Sequence, residues 1–131
     1  MDARSLILQL ARAPETAHLE GATWDEHSST LTARPMALFT IASDDITVFV
    51  RPIDDVTVGI RAEFSHSIGR VASIGPPASI DLDWIHSDDD PPNVVGVWTE
   101  LELETGGDSS WALASAVIRL VDAADEELGM A

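Results

Sequence analysis

Nine residues in the middle of the chain limit its fold more than any other segment. Val56, Val58, Ile60, Ala62 and Phe64 alternate with Thr57, Gly59, Arg61 and Glu63. Successive side chains of a strand point to opposite faces, so this alternation predicts a half-buried strand in an antiparallel sheet. Two neighbouring segments follow the same period. Ile46 to Arg51 puts Ile46, Val48 and Val50 on one face, and Met36 to Ala42 reads as a further strand. Ser43-Asp44-Asp45 and Pro52-Ile53-Asp54-Asp55 have the residue types that turn a chain between such strands.

The period changes to helical at both ends. Ala3, Leu6, Ile7 and Leu10 form a stripe, Asp2 is placed to cap it, Arg12 suits its last turn, and Pro14 ends it. Near the other end, Trp111, Ala114, Val117, Ile118, Val121, Ala124 and Leu128 form a longer stripe. Ser115, Arg119, Asp122 and Glu126 lie opposite it. Asp108, Ser109 or Ser110 is the expected cap, and Gly129 the expected C-terminal stop.

Residues 14–35 are polar and uneven. Glu20-Gly21 and Asp25 to Ser29 read as turns, while Trp24 and Leu31 are candidates for short strands. Further on, Val71 to Ile74 reads as a short strand broken by Gly75-Pro76-Pro77. Ile80, Leu82 and Trp84 alternate with Asp81 and Asp83. Val95 to Glu104 predicts a strand with Val95, Val97, Thr99, Leu101 and Leu103 facing inward and Trp98, Glu100, Glu102 and Glu104 facing outward. The expected fold is one α+β domain over residues 1–131. It has an antiparallel sheet of five to six strands, with an N-terminal helix and a long C-terminal helix packed on one face.

Composition narrows the functions. The 131 residues include 7 basic and 23 acidic side chains, for a formal net charge of −16; every basic residue is Arg. Such a surface repels nucleic acid and anionic membranes, and three causes can produce it: halophilic adaptation to high salt, a chaperone or inhibitor role toward a basic partner, or mimicry of a nucleic acid. No Cys is present, which excludes disulfides, thiolate nucleophiles and Cys-ligated metals. Leu6-Ile7-Leu8 is too short for a signal-peptide core and no apolar run approaches a bilayer span, so the expected setting is cytoplasmic. Much of the acid falls in turns, such as Asp44-Asp45, Asp54-Asp55 and Asp88-Asp89-Asp90, where solvated carboxylates need no function.

Two constellations carry potential chemistry. His86 with Asp88 and Asp90 offers oxygen and nitrogen donors to a divalent cation, although the spacing is not that of an EF-hand. Glu100, Glu102 and Glu104 form one acidic stripe, and Asp81 and Asp83 a shorter one. If those strands pair, like charges oppose each other, and Arg51 or Arg61 from a neighbouring strand could offset them. Trp98 shares the glutamate face, where an exposed indole would anchor a partner rich in Arg or Lys. There is no Gly-x-Ser-x-Gly elbow, Walker loop or dinucleotide fingerprint.

The stretch Val-Val-Gly-Val-Trp-Thr-Glu-Leu-Glu-Leu-Glu-Thr-Gly-Gly, ending at Gly107, leads into the helix that follows Asp108. This strand-then-helix resembles the C-terminal part of the type III secretion chaperone-like group, including the small sensory-transduction-regulator-like bacterial proteins. The resemblance implies the order helix, three-stranded meander, helix, two strands, helix. The chain departs from it around 66–80, where Gly69, Gly75 and Pro76-Pro77 oppose a middle helix. It further implies a small, acidic, dimeric, non-enzymatic protein that holds segments of a partner. The leading expectation is therefore a chaperone-like binding protein, a homodimer without a cofactor, engaging a basic protein partner through Trp98, Glu100, Glu102, Glu104, Asp81 and Asp83. The alternatives are an acidic inhibitor (a nucleic-acid mimic or a toxin-immunity protein) and a metal-dependent enzyme at His86, Asp88 and Asp90.

Overall fold

The computed structural model describes residues 2–67, 81–90, 92–104 and 107–130. The expected strand at Val71 to Ile74, its Gly75-Pro76-Pro77 break and Ile80 lie outside the described residues, as does most of the 66–80 region where the resemblance places a helix. The first helix, α1, spans Ala3–Arg12. Its cap is Asp2, whose Oδ1 accepts the Ser5 amide at 2.8 Å. The Ser5 side chain first, and then its amide, hold the Asp2 carboxyl below its ordinary pKa. Ala3, Leu6, Ile7 and Leu10 are buried, as the stripe predicts.

Six strands follow: β1 (Leu19–Asp25), β2 (Thr30–Pro35), β3 (Ile46–Pro52), β4 (Thr57–Phe64), β5 (Asp83–His86) and β6 (Val94–Glu102). Helix α2 (Ser109–Met130) closes the described chain. The sheet is open, with order β1-β2-β3-β4-β6-β5, and every neighbouring pair is antiparallel. The α+β expectation holds, with an N-terminal helix, a six-stranded sheet and a C-terminal helix. Both helices cover the face carrying Leu31, Val48, Val50, Val58, Ile60 and Val97.

Four local expectations are corrected. Residues 19–35 form a hairpin, with Trp24 and Leu31 on its strands and the turn between them as expected, and the correction falls on Glu20-Gly21. The hairpin's signal is weak because β1 buries only Leu19 fully and is bulged between Glu20 and Thr23, with Gly21 at φ 65°. The bulge interrupts the period of two, so Glu20-Gly21 reads as a turn although it lies within β1. Conversely, Met36 to Ala42 is no strand. Pro35 ends β2, and the amides of Ile41 and Ala42 donate instead to the Asp125 carboxylate on α2, at 3.1 and 2.8 Å. The alternation there is solvent-facing, with Leu38 86% and Ile41 95% exposed.

The third correction concerns the buried stripe of α2, which is Leu113, Ala116, Val117, Leu120 and Ala124 flanked by Ala114 and Val121. Trp111, expected in the core, is 70% exposed. Asp108 caps the helix by accepting the Trp111 amide at 3.1 Å, so Trp111 sits in the first turn. Gly129 does not stop α2, which runs on to Met130. Lastly, β6 ends at Glu102, leaving Glu104 beyond the strand, and the register shift between Ile85 and His86 buries Val94 in place of Val95.

The turns are built from side-chain carboxylates. Asp54 Oδ1 accepts the Val56 amide at 2.9 Å in the β3–β4 turn, and Asp25 Oδ1 accepts the His27 amide at 2.9 Å in the β1–β2 turn. Both carboxyls are held below their ordinary pKa, chiefly by those amides. Helix α1 is tied to the first hairpin by Arg4, which pairs with Glu26 and lies 5.8 Å from the Trp24 ring centroid. The Trp24 indole N–H donates to Glu26 at 2.6 Å.

Two outcomes follow from this packing. A Cβ added at Gly96 would lie 2.5 Å from the Ala62 carbonyl oxygen, which is backbone of a central strand. Gly96→Ala should therefore destabilise the fold by about 1–3 kcal/mol in denaturant titration, as overpacked sites do; unchanged stability would contradict this β4–β6 contact. The second outcome concerns Glu26, whose carboxyl sits below its ordinary pKa first because of the Trp24 indole and then because of Arg4. A depressed carboxylate stabilises the fold above its unfolded pKa, and that contribution is lost as pH falls through the folded one. Trp24→Phe should move the Glu26 titration, followed by carbon-detected NMR, up toward the ordinary Glu value.

Candidate functional site: the uncovered sheet face

Among the described residues no helix packs on the other face of the sheet, and the strand register decides which side chains meet on it. Thr32 lies across from Phe49, Phe49 from Arg61, Arg61 from Trp98, and Trp98 from Asp83. These five residues make a row across β2, β3, β4, β6 and β5. The next row runs Arg51, Gly59, Glu100. Alternation along each strand puts these residues opposite the core, so the same patterning that fills the core also composes this surface.

The row has an internal order. The Arg61 guanidinium carbon sits 5.5 Å from the Phe49 ring centroid, a cation–π arrangement. Arg61 also pairs with Glu63, two residues along the same strand. Arg51 has no acidic partner among the described residues. Gly59 lies between Arg51 and Glu100, and its missing side chain lowers the floor: an added Cβ would come 3.1 Å from Ile53 Cδ1. The result is a groove of about 300 Å3 walled by Phe49, Arg51, Ile53, Arg61, Ile85 and Trp98. A second depression of about 370 Å3 shares Phe49, Arg51 and Arg61 and continues past Thr32, Thr30 and Asp25 toward the first hairpin.

The residues singled out from sequence fall in different places. Trp98 is half-buried at the centre of this face, and Asp83 stands beside it on β5. Glu100 and Glu102 continue along β6, opposite Gly59 and Thr57 of β4. The feared opposition of like charges does not occur, because the β5–β6 register ends before the glutamates are reached. Asp81 lies in a turn ahead of β5 with its carboxylate 3.8 Å from Arg119 of α2. Its carbonyl accepts the hydroxyl of buried Thr99 at 2.7 Å. Glu104 is exposed beyond the end of β6.

His86 ends β5, and Asp88 and Asp90 are exposed in the loop that follows. Asp89 organises that loop, accepting the Ser87 hydroxyl at 2.9 Å and the Asn93 side-chain amide at 3.2 Å. Among the described residues, no three His, Asp or Glu side chains are gathered closely enough to hold a metal ion. Away from the open face, burial raises the Asp122 pKa, and nearby His18 opposes that rise.

Three members of the face were hard to read as site residues from the sequence. Phe49 and Ile53 belong to strand β3 and its turn, where the sequence marks them only by position, while Arg51 stands out only as a countercharge to the acidic stripes. Arg61 carried a clearer signal, lying on the polar side of the most regular strand. Thr32, Phe49, Arg61, Trp98 and Asp83 could not be assigned to one row before the register was known.

No helix among the described residues is long and apolar enough to cross a membrane. Comparison with known protein families, curated proteins and solved structures gives no match to the chain. The resemblance to type III secretion chaperone-like proteins thus rests on the pattern of strand and helix alone. The described order differs from it in placing four strands, not three, before residue 68.

Proposed function

We propose that this protein is a non-enzymatic binding module that docks a basic protein partner on the uncovered face of its sheet. The observation that carries this reading is the Phe49–Arg61–Trp98 row, an aromatic and guanidinium centre left uncovered by either helix. Protein interfaces concentrate their binding energy in such central aromatic and Arg side chains, surrounded by a polar rim. Here the rim is acidic: Glu63, Asp83, Glu100 and Glu102 border the row. A rim of that sign, on a chain of net charge −16, favours approach of a cationic partner and disfavours an acidic one.

Short synthetic peptides rich in Arg and Leu provide the test. Titrated into the labelled protein, they should shift the NMR signals of Phe49, Arg61 and Trp98 and leave the helical side unchanged. Trp98→Ala should weaken binding by about tenfold, the size of an interface anchor. The pair Glu100→Gln and Glu102→Gln, which spares the sheet's packing, should weaken binding at low salt and lose that effect at high salt. Peptides that do not bind, or that map to the helical side, would overturn the reading.

A further inference from the structure

We propose that the groove between Arg51 and Arg61 receives the free C-terminal carboxylate of the docked partner, together with an apolar last side chain. This rests on the docking reading above and names the part of the partner that enters the face.

Charge makes the first argument. The chain has seven arginines against twenty-three acids, yet two of the seven line one groove. Arg51 has no acidic partner among the described residues. Arg61 has Glu63, but a guanidinium offers five N–H donors in a planar fork and one carboxylate does not exhaust them. The walls between them are apolar, from Phe49, Ile53, Ile85 and Trp98. Charge-assisted hydrogen bonds from a guanidinium to a carboxylate are stronger than neutral ones. An anion is the group that complements this centre.

The second argument is that the anion must bring an apolar body with it. An Asp or Glu side chain supplies a carboxylate with little surface for Ile53, Ile85 and Trp98. The terminal residue of a chain, when it is Leu, Val or Phe, supplies a carboxylate and a large apolar group on one Cα. A groove of about 300 Å3 suits one such residue and not a long segment.

The rim supplies the third argument. Asp83, Glu100 and Glu102 lie along the rows that frame the groove. They oppose a small free anion and favour cationic residues immediately before the terminus. The second depression, running from the groove past Thr32 and Thr30 to Asp25, gives the preceding residues a path across the sheet. A basic tail ending in an apolar residue satisfies the centre, the walls and the rim together.

The test compares one Arg-rich peptide ending in Leu as the free acid and as the C-terminal amide, by isothermal titration against the full chain. The free acid should bind about tenfold tighter. In Arg51→Gln that preference for the free acid over the amide should fall to about twofold or less. Gly59→Ala, which raises the floor against Ile53, should weaken the free acid more than the amide. Equal binding of acid and amide to the unaltered protein would overturn the carboxylate site and leave the docking reading standing. Failure of both peptides to bind would remove both. Benzoate or hexanoate displacing the peptide at equal concentration would show a small-molecule carboxylate site, and overturn a protein terminus as the occupant.

Discussion

One-sided coverage of the sheet is the constraint on which the rest of this structure depends. Strands β3, β4 and β6 carry Val48, Val50, Val58, Ile60 and Val97 on one face, and both helices pack there. Burying each such side chain is worth about 1.5–3 kcal/mol relative to exposure. A register slip of one residue would turn this set toward solvent, so the register is strongly specified. The opposite face inherits that specification. Phe49, Arg61 and Trp98 align because Val48, Ala62 and Val97, each an immediate chain neighbour, are aligned in the core. The composition of this open face is a by-product of core packing, held by it at no separate cost in order.

This dependence explains what was legible from sequence and what was not. Alternation at Thr57 to Phe64 marks β4 because both faces obey it, apolar inward and Thr, Gly, Arg, Glu outward, whereas Val56, expected to face inward, precedes the strand and is 51% exposed. The edge strand β1 is opaque, since a bulge at Gly21 and exposure along most of its length erase the contrast between faces. Met36 to Ala42 misleads in the opposite way. It carries apolar residues at strand spacing, but its amides bond to Asp125, a residue more than eighty positions away. No local pattern encodes such a partner. Trp111 follows the same logic: helical spacing fits it to the stripe, while the actual face is fixed by Leu113 and Leu120 meeting the sheet.

The candidate site was legible one strand at a time. Trp98 on a face with Glu100 and Glu102 is written in β6, and the offsetting role of Arg51 and Arg61 follows from their place on β3 and β4. What the sequence lacks is the strand order, which inserts β6 between β4 and β5. That order puts Trp98 between a guanidinium and a carboxylate. It also pairs β5 with β6, but their register ends at Asp83 and Trp98, so the two acidic stripes do not face each other.

The net charge acquires a different meaning once the acids are placed. Asp2, Asp25, Asp54 and Asp108 cap helices or close turns, accepting backbone amides that would otherwise lack partners. Asp125 does the same for the loop after β2. Glu26 bridges a helix and a hairpin. Much of the acidity is thus structural, spent on backbone donors through charge-assisted bonds. The acids of the open face have a different setting. Glu100 and Glu102 stand opposite Gly59 and Thr57, which offer them no countercharge, and Asp83 stands beside an indole. Among the described residues these carboxylates make no backbone cap of the kind made by Asp2, Asp25, Asp54 and Asp108, so the acidity of the open face is set apart from the acidity that builds the fold.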